Sequence, residues 1–225
     1  MRIAALVGTS LVNYPGMVAA AVFTQGCNLR CNYCHNPSLL NPGNQWGFIP
    51  ETEVLRHLER RKAVLDGLAL TGGEPTIQPG LEEFLGQVKI LGFRVKLDTN
   101  GTSPGVLERL IRGKLLDYVA MDVKAPREKY PEICGKPLDM AAIQASIDLL
   151  RGAGVPYEFR TTVAPGLEAE DLQKIKDWIG GASDWVLQRY RAADQTGASI
   201  LSLCSVRESA MNLQTRFSPC RLRGF

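Results

Sequence analysis

Twelve residues, Gly26 to Pro37, read GCNLRCNYCHNP and restrict this chain more than any other stretch. Cys27, Cys31 and Cys34 stand at a CxxxCxxC spacing, so three of the six cysteines fall within eight positions. Thiolates are soft ligands that suit iron–sulfur clusters, zinc or copper(I). Three on one short loop can hold three corners of a cubane [4Fe–4S] cluster, which ordinarily takes four cysteines. One iron then stays open to a ligand that is not protein. An electron can pass from the cluster into that ligand, which would be cleaved reductively and not merely bound.

Two other readings stand beside this one. A disulfide pair leaves one of the three cysteines over, and no secretory context is visible. Zinc completed by His35 has the known Cys3His donor set, but zinc sites usually draw ligands from two separated pairs. Adjacent Cys34 and His35 also direct their side chains apart. Cys134, Cys204 and Cys220 are scattered without ligand spacing and read as unrelated thiols.

The 225 residues are expected to form a single domain, with residues 1–17 an N-terminal extension, 18–191 the core and 192–225 a C-terminal segment. A hydrophobic share of 45% and a charged share of 22% are ordinary for a globular protein. A formal charge of +3 argues for neither a nucleic-acid nor a membrane partner. No run approaches the roughly 18 apolar residues of a membrane-spanning helix. The start MRIAALVGTS makes a poor signal peptide, so clustered thiols point to a reducing cytoplasm.

Apolar runs bounded by turn residues predict a repeating strand–helix unit. Strands are expected at 18–23, 67–70, 93–97, 117–121, 157–163 and 185–187. Helices are expected from Glu51 to Leu65, around Leu81 to Gly92, from Ser103 and Pro104 to Gly113, after Asp139, and through Leu172 to Ile179. The tail adds a helix near Ser205 to Leu213 and a terminal extended piece. Six such units fall short of the eightfold barrel's typical 250 or so residues. The fold class is therefore α/β, a partial (β/α)6 TIM-like barrel open on one side. A macromolecular substrate could enter there.

The cysteine loop with Tyr33 before its third cysteine resembles the radical S-adenosylmethionine (SAM) superfamily. The continuation CHNP and the approach YPGMVAAAVFTQGC are similar to glycyl-radical enzyme activating proteins, the anaerobic ribonucleotide reductase activating type above all. The resemblance runs from Ser10 to Arg191. It implies a [4Fe–4S] cluster on Cys27, Cys31 and Cys34, with SAM on the open iron. It further implies reductive cleavage of SAM, a 5′-deoxyadenosyl radical, and hydrogen abstraction from a glycine of a partner protein. A flavodoxin or ferredoxin would supply the electron. Asn13 stands where relatives often carry Asp before Tyr-Pro-Gly.

The strand ends carry the remaining candidates. Gly72, Gly73 and Glu74 of GGEP form a turn, and glycines also let backbone approach a ligand closely. The resemblance assigns this motif to the SAM amino group. Asp98 and Asn100 lie in DTNG, itself a common turn pair, while Asp122 and Lys124 lie in MDVK. By resemblance these surround SAM and hold a monovalent cation; otherwise they are a surface Asp–Lys pair of little energetic weight. Arg160 and Gln188 are polar within apolar strands, and the arginine suits a carboxylate or ribose. Both are expected to contact SAM, and Tyr33 to pack over the cluster or the adenine. His57 reads as a solvated residue on a helix, and His35 as a neighbour of the cluster loop. The rival function is a radical SAM enzyme acting on a small molecule such as a deazapurine precursor; a third is a non-catalytic metal or redox module.

Overall fold

The computed structural model describes residues 1–41, 47–180, 184–190 and 220–224. The expected helix near Ser205 to Leu213, and Cys204, lie outside the described residues. Two compact units make up the chain. The first comprises Met1–Asn28, Asn36–Ala120 and Asp139–Tyr157; the second comprises Leu29–His35, Met121–Leu138 and Glu158–Phe225.

The strands are β1 (Ile3–Ser10), β2 (Ala19–Thr24), β3 (Gly67–Gly72), β4 (Arg94–Thr99), β5 (Tyr118–Asp122), β6 (Tyr157–Val163), β7 (Trp185–Arg189) and β8 (Cys220–Arg223). They hydrogen-bond in sequence order in one eight-stranded sheet that does not close. β1 runs antiparallel to β2, whereas β2–β3, β3–β4, β6–β7 and β7–β8 are parallel. The α/β class and the open sheet match the sequence-based expectation.

Helices α1 (Glu51–Arg60), α2 (Leu81–Ile90), α3 (Pro104–Arg112) and α5 (Met140–Gly152) belong to the first unit, and α4 (Tyr130–Cys134) and α6 (Ala169–Trp178) to the second. Each longer helix buries one apolar stripe: Val54 and Leu58 on α1, Leu81, Phe84, Leu85 and Val88 on α2, Leu107 and Leu110 on α3. The strands between them read as continuous apolar runs because parallel sheets are covered on both faces. Leu68, Ala69 and Leu70 on β3 and Val95 and Leu97 on β4 are fully buried accordingly. Asp139 caps α5 by accepting from the Ala141 amide at 2.9 Å. Ser103 stands at the head of α3 but makes no side-chain cap, and Pro104 sets the first turn. The expected helix to Leu65 ends at Arg60; a turn then delivers buried Leu65 to the core.

Two elements were not expected. Between buried Ile3 and Ser10, β1 alternates half-buried and exposed positions along IAALVGTS, where small residues blunt the apolar signal. His57, expected to be solvated, is half-buried and holds this strand: its Nε2 lies 2.9 Å from the Gly8 carbonyl. A Cβ on Gly8 would meet the imidazole at 2.8 Å, so a larger residue there would push the ring aside. The short α4 was also missed; Pro131 and two charged residues among its neighbours obscure its period. In the second unit, buried Glu158 of β6 receives both guanidinium nitrogens of Arg223 at 3.0 Å, tying down β8. Among the described residues no helix is long and apolar enough to cross a membrane.

Candidate functional site

In the first unit, β2 runs straight into the cysteine loop. Gly26 donates to the Leu39 carbonyl at 2.7 Å, and Gln25 spans the same return segment through the Ser38 and Asn41 carbonyls at 2.9 and 2.7 Å. Gln78 in turn donates to the Gln25 carbonyl at 2.8 Å. These two glutamines, which sequence reasoning passed over, fix where Cys27 leaves the sheet.

The paired glycines of GGEP have an internal purpose. Gly73 donates to the Thr24 carbonyl and Glu74 to the Gly26 carbonyl, each at 2.9 Å. A Cβ on Gly72 would lie 2.2 Å from the Thr24 nitrogen, and one on Gly73 would lie 2.1 Å from the Gly26 oxygen. Gly72 also takes φ +120°, a conformation L side chains rarely adopt. The close backbone approach is therefore to the root of the cysteine loop.

Glu74 is 1% exposed, and both of its oxygens are engaged within the chain. Oε1 accepts from the Thr76 amide at 3.0 Å, the Thr76 hydroxyl at 2.6 Å and the Thr99 hydroxyl at 2.7 Å. Oε2 accepts from the Asn100 amide at 2.7 Å. Burial pushes this carboxyl above its usual range, against the pull of those donors. The side chain thus joins the end of β3 to the end of β4.

Asn100 continues the chain of contacts. Its side-chain Nδ2 donates to Asn28 Oδ1 at 2.9 Å and lies 4.0 Å from the Cys27 sulfur, while its Oδ1 accepts from the Thr102 amide and hydroxyl at 3.0 and 2.7 Å. Asn28 donates to the Thr102 hydroxyl at 2.7 Å. Buried Ser146 of α5 supports the turn by donating to the Gly101 carbonyl at 2.7 Å. Asp98 forms an ion pair with Lys96, a neighbour on the same strand face.

In the second unit, Arg30 donates to the Cys134 carbonyl at 2.9 Å and Asn32 to the Ile133 carbonyl at 3.2 Å. Cys31 is thereby laid against the end of α4, where a Cβ on Gly135 would come 2.4 Å from the Arg30 oxygen. Cys134, expected to be unrelated to the cluster loop, is a hydrogen-bond neighbour of Cys31. That thiol contact, aided by the Lys124 charge and opposed by burial, pulls the Cys31 thiol down to about 6. No spacing rule links residues about a hundred positions apart, which is why the pairing escaped sequence reasoning. Among the described residues, Cys27, Cys31, Cys34, Cys134 and Cys220 are not joined in disulfides. Among the described residues no three His, Cys, Asp or Glu side chains gather around a single ion position.

Asp122 accepts from Arg160 Nε at 2.9 Å through Oδ1 and from Lys124 Nζ at 3.0 Å through Oδ2. Burial alone would raise its carboxyl, but the Arg160 and Lys124 charges outweigh it and hold Asp122 at about 2. Lys124 is pushed the opposite way: burial opposes its charge, yet Asp122 and then Tyr33 keep it well above the usual lysine range. Its Nζ stands 6.0 Å from the Tyr33 ring centroid. The Lys124 amide donates to the Tyr130 hydroxyl at 3.1 Å, and Thr161 donates to the Val123 carbonyl at 2.7 Å. Arg160 thus serves Asp122. Gln188 is half-buried, in register with Thr162 and Arg223. His35 is exposed.

A monovalent cation does not fit the expected carboxylates. Asp98 already carries the Lys96 ammonium, and Asp122 carries two cationic partners. An added cation at about 4 Å from any one of them meets roughly 4 kcal/mol of repulsion at an effective dielectric near 20, as much as one carboxylate returns.

The family model described as the radical SAM superfamily matches residues 21–179. A Methanocaldococcus jannaschii protein named for the glycyl-radical enzyme activating enzymes is 35% identical over 85% of this chain and 81% of its own. A pyruvate formate-lyase-activating enzyme of Clostridium pasteurianum is 32% identical over 79% and 76% respectively. A 7-carboxy-7-deazaguanine synthase of Methanopyrus kandleri is 31% identical over 72% and 73%. Among solved structures, Streptococcus suis SuiB bound to the precursor peptide SuiA superposes with a TM-score of 0.66 at 15% identity, covering 88% of this chain. This chain spans about half the length of that one, 46%. A domain of a pyruvate-formate lyase-activating enzyme from Bacteroides vulgatus superposes with a TM-score of 0.53 at 18% identity, over 71% of this chain and 99% of its own.

Proposed function

This chain belongs to the radical SAM superfamily and is an enzyme of the glycyl-radical activating kind, and from that premise we propose that it installs a glycyl radical on a partner protein, an anaerobic ribonucleoside-triphosphate reductase. The superfamily implies a [4Fe–4S] cluster and SAM. Cys27, Cys31 and Cys34 would hold three irons, a role that soft, partly open thiols fit chemically. Thiolates on a cubane bind different irons, so they need not meet at one point as zinc ligands do. When bound, the cluster and SAM supply one-electron reductive cleavage and a carbon radical able to take hydrogen from glycine Cα.

The observation that carries this reading is the run of contacts from Glu74 to Asn100 to Cys27, which makes the GGEP turn, the DTNG turn and the first cysteine one assembly. Its residues orient what binds there. Gly72, Gly73 and the Glu74 backbone frame the end of β3, while Asp98, paired with Lys96, and Asn100, bonded to Asn28 and Thr102, stand at the end of β4. In the second unit Lys124 and Arg160, both held on Asp122, and half-buried Gln188 would supply donors to a carboxylate or ribose, and Tyr33 an apolar ring. A sheet that does not close suits a substrate that is itself a protein loop, and glycine lets such a loop's backbone approach closely for want of a Cβ. A flavodoxin or ferredoxin is the proposed electron donor and the cytoplasm the proposed location.

The likeness to the deazaguanine synthase favours one second reading, chemistry on a small molecule. Isotope tracing separates them. Reduced, cluster-loaded enzyme with SAM should move deuterium from Cα-labelled glycine in the partner into 5′-deoxyadenosine. Transfer from a labelled deazapurine precursor, with none from the partner, would replace the activase reading.

A further inference from the structure

Ala21, Ala69 and Lys96 occupy one register level across β2, β3 and β4. Two alanines leave space beside them on the sheet, and a lysine stem is long enough to fill it. The Lys96 side chain is 2% exposed, and its ammonium is paired with Asp98, which is 13% exposed. A buried ammonium persists only with such a partner, so the pair is built into the strand and not a chance surface contact. Lys96 and Asp98 are two positions apart on β4 and share one face. In the second unit the other carboxylate expected to hold a cation, Asp122, likewise has its charge answered by Lys124 and Arg160.

We propose that Lys96 supplies from within the chain the positive charge that a monovalent cation would otherwise bring to Asp98, so that this enzyme binds SAM without sodium or potassium. The location of SAM rests on the reading above; the charge substitution rests on the Lys96–Asp98 pair alone. An ammonium and a potassium ion carry the same charge, but the lysine is tethered and cannot exchange with the medium. Cofactor affinity should therefore be indifferent to which alkali ion is present.

Two measurements test this, neither of which reads turnover. SAM affinity of the cluster-loaded protein is measured by calorimetry in tetramethylammonium, sodium and potassium chloride at equal ionic strength. The wild type should differ by less than about twofold among the three salts. Binding of thallous ion, a spectroscopic stand-in for potassium, to the cluster-free protein is followed by thallium resonance, and none that saturates is expected. In Lys96→Met, thallous binding should appear, and SAM affinity, reduced tenfold or so, should be restored by potassium or sodium. Lys96→Gln serves the same purpose if circular dichroism finds the methionine variant unfolded. Saturable thallous binding by the wild type, or a rise of about fivefold or more in its SAM affinity with potassium, overturns the proposal. So does a folded Lys96 variant that gains no cation dependence. Failure of the radical chemistry would leave the thallous result standing, so the two readings fail separately.

Discussion

Replacing Glu74 by glutamine changes one atom and separates bracing from charge. The amide oxygen can still accept from Thr76 and Thr99, as Oε1 does now. The amide nitrogen would then face the Asn100 N–H, donor against donor, where Oε2 accepts at 2.7 Å. Turning the amide round only moves the clash to Thr76 and Thr99. The loss of one charge-assisted bond is worth about 1.5–3 kcal/mol, and the orphaned buried amide adds to it. Against that, a neutral amide is easier to bury than a carboxylate already pushed upward by burial. The net expectation is about 2 kcal/mol of destabilisation, or a Tm lower by roughly 4–8 °C for a chain of this size. Urea unfolding of the cluster-free protein measures the first, and hydrogen exchange at the Asn100 amide reports the site itself. A Glu74→Gln protein within about 1 °C of wild type, with that amide still protected, would refute the bracing argument.

Three further outcomes follow from the geometry. Serine at Cys27, Cys31 or Cys34 should each remove most of the iron after anaerobic reconstitution, whereas Cys204→Ser and Cys220→Ser should not; full iron content in Cys31→Ser would exclude it as a ligand. Gly73→Ala places a methyl 2.1 Å from the Gly26 oxygen, so iron loading should fall and unfolding should come at lower urea, by about 3 kcal/mol or more. Asp122, held near 2 against an ordinary 3.8, contributes stability that is fully present above about pH 4 and is lost as pH falls toward 2. Asp122→Asn should lose that acid-dependent part, at most about 2 kcal/mol, and acid titrations of wild type and variant that run parallel would contradict the pairing.

The parts of this molecule that were legible in its sequence are those set by local pattern. Val95 to Leu97 and Leu68 to Leu70 announce buried parallel strands because both faces of such a sheet are covered. Val54 and Leu58 announce a helix because their spacing puts them on one face. β1 escaped because alanine, glycine, threonine and serine carry little apolar signal and its pairing is with a later strand. The site divides along the same line. GGEP and DTNG could be located at strand ends, but only the folded chain pairs the Glu74 carboxylate with Asn100 and the Asp122 carboxylate with Arg160. Lys96 looked like one more charge in a short strand; it is buried level with alanines in two neighbouring strands, a register that no single-segment reading reveals.

The central claim is that this chain places a radical on a glycine of another protein. Electron paramagnetic resonance of a mixture of the reduced, cluster-loaded enzyme, SAM and an anaerobic ribonucleotide reductase tests it most directly. An organic radical doublet that collapses to a single line when the partner's glycine carries deuterium at Cα is the predicted result. A mixture that consumes SAM yet yields no partner radical, or a doublet unchanged by that deuterium, would contradict the account.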